Sequence, residues 1–161
     1  MELALSYFYQ IRNFKPYMIP VSTAVWDPQW FHKDKTTMIF KDKNNVYNGI
    51  RFDELAPGET CKDLCKGKDN CNIKKPGECL FLQNYRRQLE ELDFKNLINK
   101  CNILANNIKR IERFFQDPII VFMVYETYTN KCSERDTILS VFNEHGLKIS
   151  ELKYPINENY T

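Results

Sequence analysis

Two groups of residues have the types and spacing that chemistry needs. The first is Glu126, Cys132, Glu134 and Arg135, gathered just after an apolar run from Ile119 to Tyr125. A carboxylate such as Glu126 there serves as a general base or accepts a bond from a sugar hydroxyl. A thiol at a helix start beside an arginine is a candidate nucleophile, anion contact or redox centre, or else a small residue that packs the turn. An arginine in a first helical turn opposes the helix dipole. A bound phosphate or carboxylate, or a salt bridge to Glu126 or Glu134, is expected to hold it. The second group is Cys61, Cys65, Cys71 and Cys79, spaced C-x3-C-x5-C-x7-C. Four thiolates suit a closed structural zinc site, and an iron–sulfur cluster uses the same ligands. The spacing departs from paired C-x2-C knuckles. Free or redox thiols are the alternative, as are disulfides if the protein is exported.

The elements that must position these groups are legible around them. Asp117-Pro118 interrupts whatever precedes it. Ile119 to Tyr125 is β-branched and aromatic, as in a strand buried on both faces of a parallel sheet. Ser133 with Asp136 three residues on is a capping-box pattern. Ile138, Val141, Phe142 and His145 continue at helical spacing, and Gly146 stands where a helix ends. Leu147 to Leu152 alternates as a half-buried strand. In open α/β sheets ligands bind beyond the carboxyl ends of strands, where the next helix begins, which places Glu126 to Arg135 in the binding zone.

Strand, Tyr-Glu, short loop, Cys-Ser-Glu-Arg, helix ending His-Gly, and strand ending Ser-Glu-Leu: this order resembles the C-terminal half of the YeaO-like family. Those are small bacterial and phage α/β domains of unknown function. Met18 to Phe31 and Tyr47 to Pro57 fit the resemblance as well. Ser133 stands where many members carry histidine. The resemblance implies an α/β fold and a strand-end glutamate facing a helix start; it implies no reaction.

Upstream, Glu2 to Tyr9 and Tyr17 to Val25 are expected strands, with Pro20 at an edge or a bulge. If both run parallel to Ile119–Tyr125, then Ser6, Tyr7, Ser22 and Thr23 open on the same rim. Trp26, Trp30 and Phe31 would then wall a base-stacking site, or close the core beneath the loop. Lys33 to Asn45 reads as a surface loop or lid, and Tyr47 to Pro57 as a short strand and turn. Helices are expected from Leu80 and over about 94–116.

The 161 residues fit one domain, and 43% apolar with 14% aromatic content argues for a packed core and against disorder. A net charge of +2 neither demands nor excludes a nucleic-acid partner. No apolar run is long enough to span a membrane, and Met1-Glu2-Leu3 lacks a signal peptide's basic start, so the expected address is cytoplasmic, a host's cytoplasm if the chain is phage-encoded. The reading is a single α/β domain over 1–161, with a mostly parallel sheet of about four strands flanked by helices. A four-cysteine loop, 61–79, is inserted. Its expected function is an enzyme-like pocket for a nucleotide or a nucleic-acid base. The alternative is a non-catalytic zinc-stabilised module that binds nucleic acid or a host protein through Lys62, Lys66, Lys68, Lys74 and Lys75.

Overall fold

The apolar runs become strands lying side by side. The computed structural model describes residues 1–33, 47–62, 64, 76–126 and 133–153. Within these, the strands are β1 (Glu2–Tyr7), β2 (Met18–Ser22), β3 (Phe31–Lys33), β4 (Tyr47–Arg51), β5 (Ile119–Val124) and β6 (Ile149–Glu151). They form one six-stranded sheet in the order β3-β4-β2-β5-β1-β6. Every pairing is parallel. The helices are α1 (Glu59–Lys62), α2 (Leu80–Glu90), α3 (Phe94–Glu112) and α4 (Glu134–Glu144). The expected α/β class holds, with a wider sheet than the four strands expected.

Period-two alternation sorts the core into two faces. Leu3, Leu5, Ile19, Val21, Ile120 and Phe122 point to one side and pack with residues of α2, α3 and α4. Phe122 sits between Phe52 and Phe142, ring centroids 6.2 and 5.6 Å away. Ala4, Met18, Val121 and Met123 point to the other side, where Phe8, Ile11 and Phe31 cover them. The described helices therefore share one face, and a 3-10 turn with aromatic loop residues covers the other.

Several boundaries differ from the sequence reading for identifiable reasons. β1 ends at Tyr7, and Phe8 to Asn13 forms a 3-10 helix. Phe8 and Ile11, three residues apart, both turn inward there, while Tyr9 faces solvent. Pro20 lies inside a central strand rather than at an edge. Ser22 accepts a bond from Phe52 N on the β4 side, so Pro20, two residues back, faces that side too. Pairing with β4 begins only at Val21, so the missing N–H leaves no gap in the ladder. Phe31, read as loop, starts β3 and lies flat against Gly49 of β4. A Cβ on Gly49 would come within 1.8 Å of the Phe31 ring, so glycine permits the close approach. α3 is capped by Asp93, which accepts from Asn96 N at 3.0 Å, and ends at Arg113 in the left-handed region. Its buried stripe is Leu97, Cys101, Ala105 and Ile108, while Ile111 near its C-terminal end and Phe115 just beyond it are exposed.

Among the described residues no helix is long and apolar enough to cross a membrane.

Candidate functional site

The topology fixes where a ligand would sit. After β2 the chain moves toward β3 on one flank; after β5 it moves through α4 to β6 on the opposite flank. Between β2 and β5, adjacent in the sheet, the connections diverge and leave a crevice at their carboxyl ends. A cleft of about 130 Å³ lies there, lined by Thr23, Ala24, Val25 and Trp26 on one side. Val124, Tyr125, Glu126 and Glu134 line the other side. Larger hollows of about 490 and 310 Å³ lie against the outer side of α3 and beside Lys15 to Tyr17.

The carboxylates belong to two different elements. Glu126 follows β5 and Glu134 opens α4, and Ser133 holds the two segments together. Its Oγ donates to Glu126 Oε2 at 3.0 Å and accepts from Arg135 N at 3.2 Å. Ser133 is thus the expected helix cap, and its hydroxyl hydrogen goes to Glu126. Glu134 is mostly buried. Burial first, then the neighbouring charge of Glu126, pushes its carboxyl up to about 7 against the pull of a backbone hydrogen bond. Behind it Tyr85 is fully buried and gives its hydroxyl to Leu55 O at 2.5 Å. Its phenol is raised well above the ordinary value by burial and then by the charges of Glu134 and Cys61. A carboxyl whose pKa is raised toward 7 beside a second carboxylate has the arrangement that acid–base chemistry requires.

Other expected site residues are placed elsewhere. Arg135 is not among the cleft-lining residues: it is only 2% exposed. Its Nε stands 2.8 Å from Glu151 Oε1 and its NH2 3.6 Å from Asp136 Oδ1. The expected ion pair exists, but with β6 rather than with Glu126 or Glu134. Cys132 lies outside the described residues. Ser6, Tyr7, Ser22 and Thr23 are all buried; of these only Thr23 is among the cleft-lining residues, and its hydroxyl donates to Met123 O at 2.9 Å. The aromatic wall divides. Trp26 is 77% exposed at the cleft, but Phe31 is buried and Trp30 packs edge-on against Phe8, centroids 6.2 Å apart.

Asp27 and Arg51 were missed by sequence reasoning, although Asp27 follows a tryptophan and precedes a proline in a strand-end loop. Ser22 Oγ donates to Asp27, and Arg51 NH1 lies 3.3 Å from the same carboxylate oxygen. Arg51 also donates to Ala24 O and, at 3.5 Å, to Val25 O. Its Nε reaches Asp53 at 2.5 Å. The guanidinium thus ties down Ala24, Val25 and Asp27 of the loop that forms one wall of the cleft. Only register reveals this, because Ser22 and Arg51 are opposite one another on β2 and β4. Arg51→Ala is expected to cost about 2–4 kcal/mol, since it strands a buried carboxylate. Urea unfolding measures this, and a change under about 0.5 kcal/mol would contradict it.

The metal expectation needs correction. Among the described residues no group of three or more His, Cys, Asp or Glu side chains is arranged to hold a metal ion, which argues against the zinc or iron–sulfur site. Cys61 is enclosed in the main core, its Sγ 3.9 Å from Gln88 Oε1. Gln88 also accepts from Gly58 N at 2.8 Å and donates to Ala56 O at 2.7 Å, which fixes this stretch to α2. Cys61 behaves as a small apolar residue. Cys79 precedes α2 without making a side-chain cap bond. Cys65, Cys71, Lys66, Lys68, Lys74 and Lys75 lie outside the described residues. Cys101, on the buried face of α3, has its thiol pushed up to about 12 by burial, which disfavours the nucleophilic thiolate.

No family model matches the chain, and no curated protein or solved structure matches it.

Proposed function

We propose that the cleft between β2 and β5 receives the base of a nucleotide and performs general acid–base chemistry on it. Glu134 donates a proton, Glu126 accepts one, and Trp26 stacks on the ring. The observation that carries this reading is the Glu134 carboxyl, poised at about 7 beside Glu126 in a cleft roofed by an exposed indole. An acid–base pair works best when its pKa lies near the operating pH. The size of the cleft favours a single ring system, since pockets for drug-sized ligands span about 300–1,000 Å³. Two carboxyls favour the amine and ring-nitrogen edge of a base over a phosphate, which corrects the expectation of an anion pocket built on Arg135. The reaction this pair suits is hydrolysis of the base-to-sugar bond. Water adds its oxygen to the sugar carbon and yields a proton to Glu126. The carbon–nitrogen bond breaks, and the departing base takes the proton of Glu134. Glu126 and the helix start that carry the YeaO-like resemblance are part of this proposal, and so is that kinship.

Trp30→Phe leaves Trp26 as the sole indole, so its fluorescence reports the cleft directly. Titration with adenosine, guanosine, cytidine and uridine is expected to quench it, and chromatography to detect the free base. Absence of quenching with every nucleoside would overturn the base-binding reading. Quenching without base release at any pH from 5 to 9 would remove the hydrolysis.

A further inference from the structure

We infer that the base entering the cleft belongs to a single-stranded nucleic acid: Trp26 stacks on that base, and the neighbouring bases stack on Tyr125 and Tyr9, which continue the same rim. This rests on the base-binding reading above and names its substrate class. The rim follows from the order of the strands. Trp26 comes after β2, Tyr125 directly after β5, and Tyr9 just after β1, and those three strands are neighbours in the sheet. Neighbouring strands lie about 4.8 Å apart, so three aromatics at their ends make a row longer than one base.

All three rings face solvent, at 77%, 43% and 55% exposure. Tyr125 lines the cleft, and burial first, then the nearby charges of Asp27, Tyr9 and Glu126, raises its phenol above the ordinary value. Phe8 supports Tyr125 from below, centroids 5.1 Å apart, so the platform has an apolar footing. Exposed aromatics grouped around a functional cleft mark a binding surface rather than chance exposure.

On this reading the cleft takes a ring system, with its sugar carbon at the two carboxyls, and leaves the phosphates outside. A free nucleoside would therefore leave Tyr9 unused, whereas a strand supplies further bases to Tyr125 and Tyr9. Every base has a π-face, so stacking of this kind tolerates any sequence. Bases in a duplex are hidden in the stack and would have to be extruded first.

The test uses full-length Trp30→Phe protein, a mixed-sequence hexanucleotide, the same sequence as a duplex, and the corresponding free nucleosides. The single strand is expected to bind at least about tenfold tighter than either nucleoside or duplex. Tyr9→Ala, at an exposed position that leaves folding intact, is expected to cut the strand-to-nucleoside affinity ratio roughly five- to a hundredfold. Equal affinity for strand and nucleoside, tighter binding of duplex, or an unchanged ratio in Tyr9→Ala would each overturn the rim and leave the base cleft standing. Binding of neither strand nor nucleoside would overturn the base cleft itself.

Discussion

Arg135→Ala is expected to lower the unfolding free energy by about 3–5 kcal/mol, which is the usual cost of removing one member of a buried ion pair. The sequence left two readings open, an arginine held by a bound anion or one in a salt bridge to Glu126 or Glu134, and neither tied it to β6. The difference lies in its partner. Arg135 is enclosed, and the Glu151 carboxylate 2.8 Å away would be left in a site where burial already pushes its pKa up despite the arginine. A domain has only about 5–15 kcal/mol of stability to lose, so the variant should be marginal at 37 °C. Denaturant unfolding measures the loss, and Glu151→Gln in the same background should recover part of it through the coupling of the pair. Wild-type stability in Arg135→Ala would show that the guanidinium does not hold β6 to α4. Base binding per folded molecule should survive, because Arg135 does not line the cleft.

Glu134→Gln is expected to act on both stability and chemistry. In the native state this carboxyl is pushed up to about 7, against an ordinary value of 4.5. Below pH 4.5 it is neutral in both states, and the contribution is fully present. Between pH 4.5 and 7 the unfolded chain releases the proton while the native state retains it, so stability falls as pH rises. Above pH 7 the contribution is gone. The swing is at most about 3.4 kcal/mol, and the proton belongs to the Glu126–Glu134 pair rather than to one residue. Glutamine keeps the size without the charge. The variant should therefore show a flatter stability–pH curve and be the more stable protein at pH 8. Base release should fall by about 10²–10⁴-fold, the usual contribution of a positioned acid. Urea midpoints at pH 5, 6, 7 and 8, with release rates at the same values, decide both. Parallel wild-type and variant curves would dispose of the raised carboxyl.

The chain by itself determined the α/β class, because Ile119 to Val124 and Leu3 to Tyr7 are too continuously apolar for anything but strands covered on both sides. It also determined the cap at Ser133 and the placement of Glu126 and Glu134 at the strand end and helix start. These are local signals: a run, a cap and a glycine stop report on neighbours within one or two turns. What only the tertiary structure decided was pairing. Arg135 goes to Glu151 because β6 returns beside β1 and lies under α4. Arg51 reaches the 24–27 loop because β4 and β2 are in register at Ser22. Cys61 is drawn into the core by α2 instead of joining Cys79. Each of these depends on which segments, distant along the chain, share a face of the sheet, and spacing along one segment carries no information about that. Trp26 and Trp30 show the same limit: identical residue types four positions apart, one lifted to solvent at the cleft and one folded against Phe8, separated by where β3 begins.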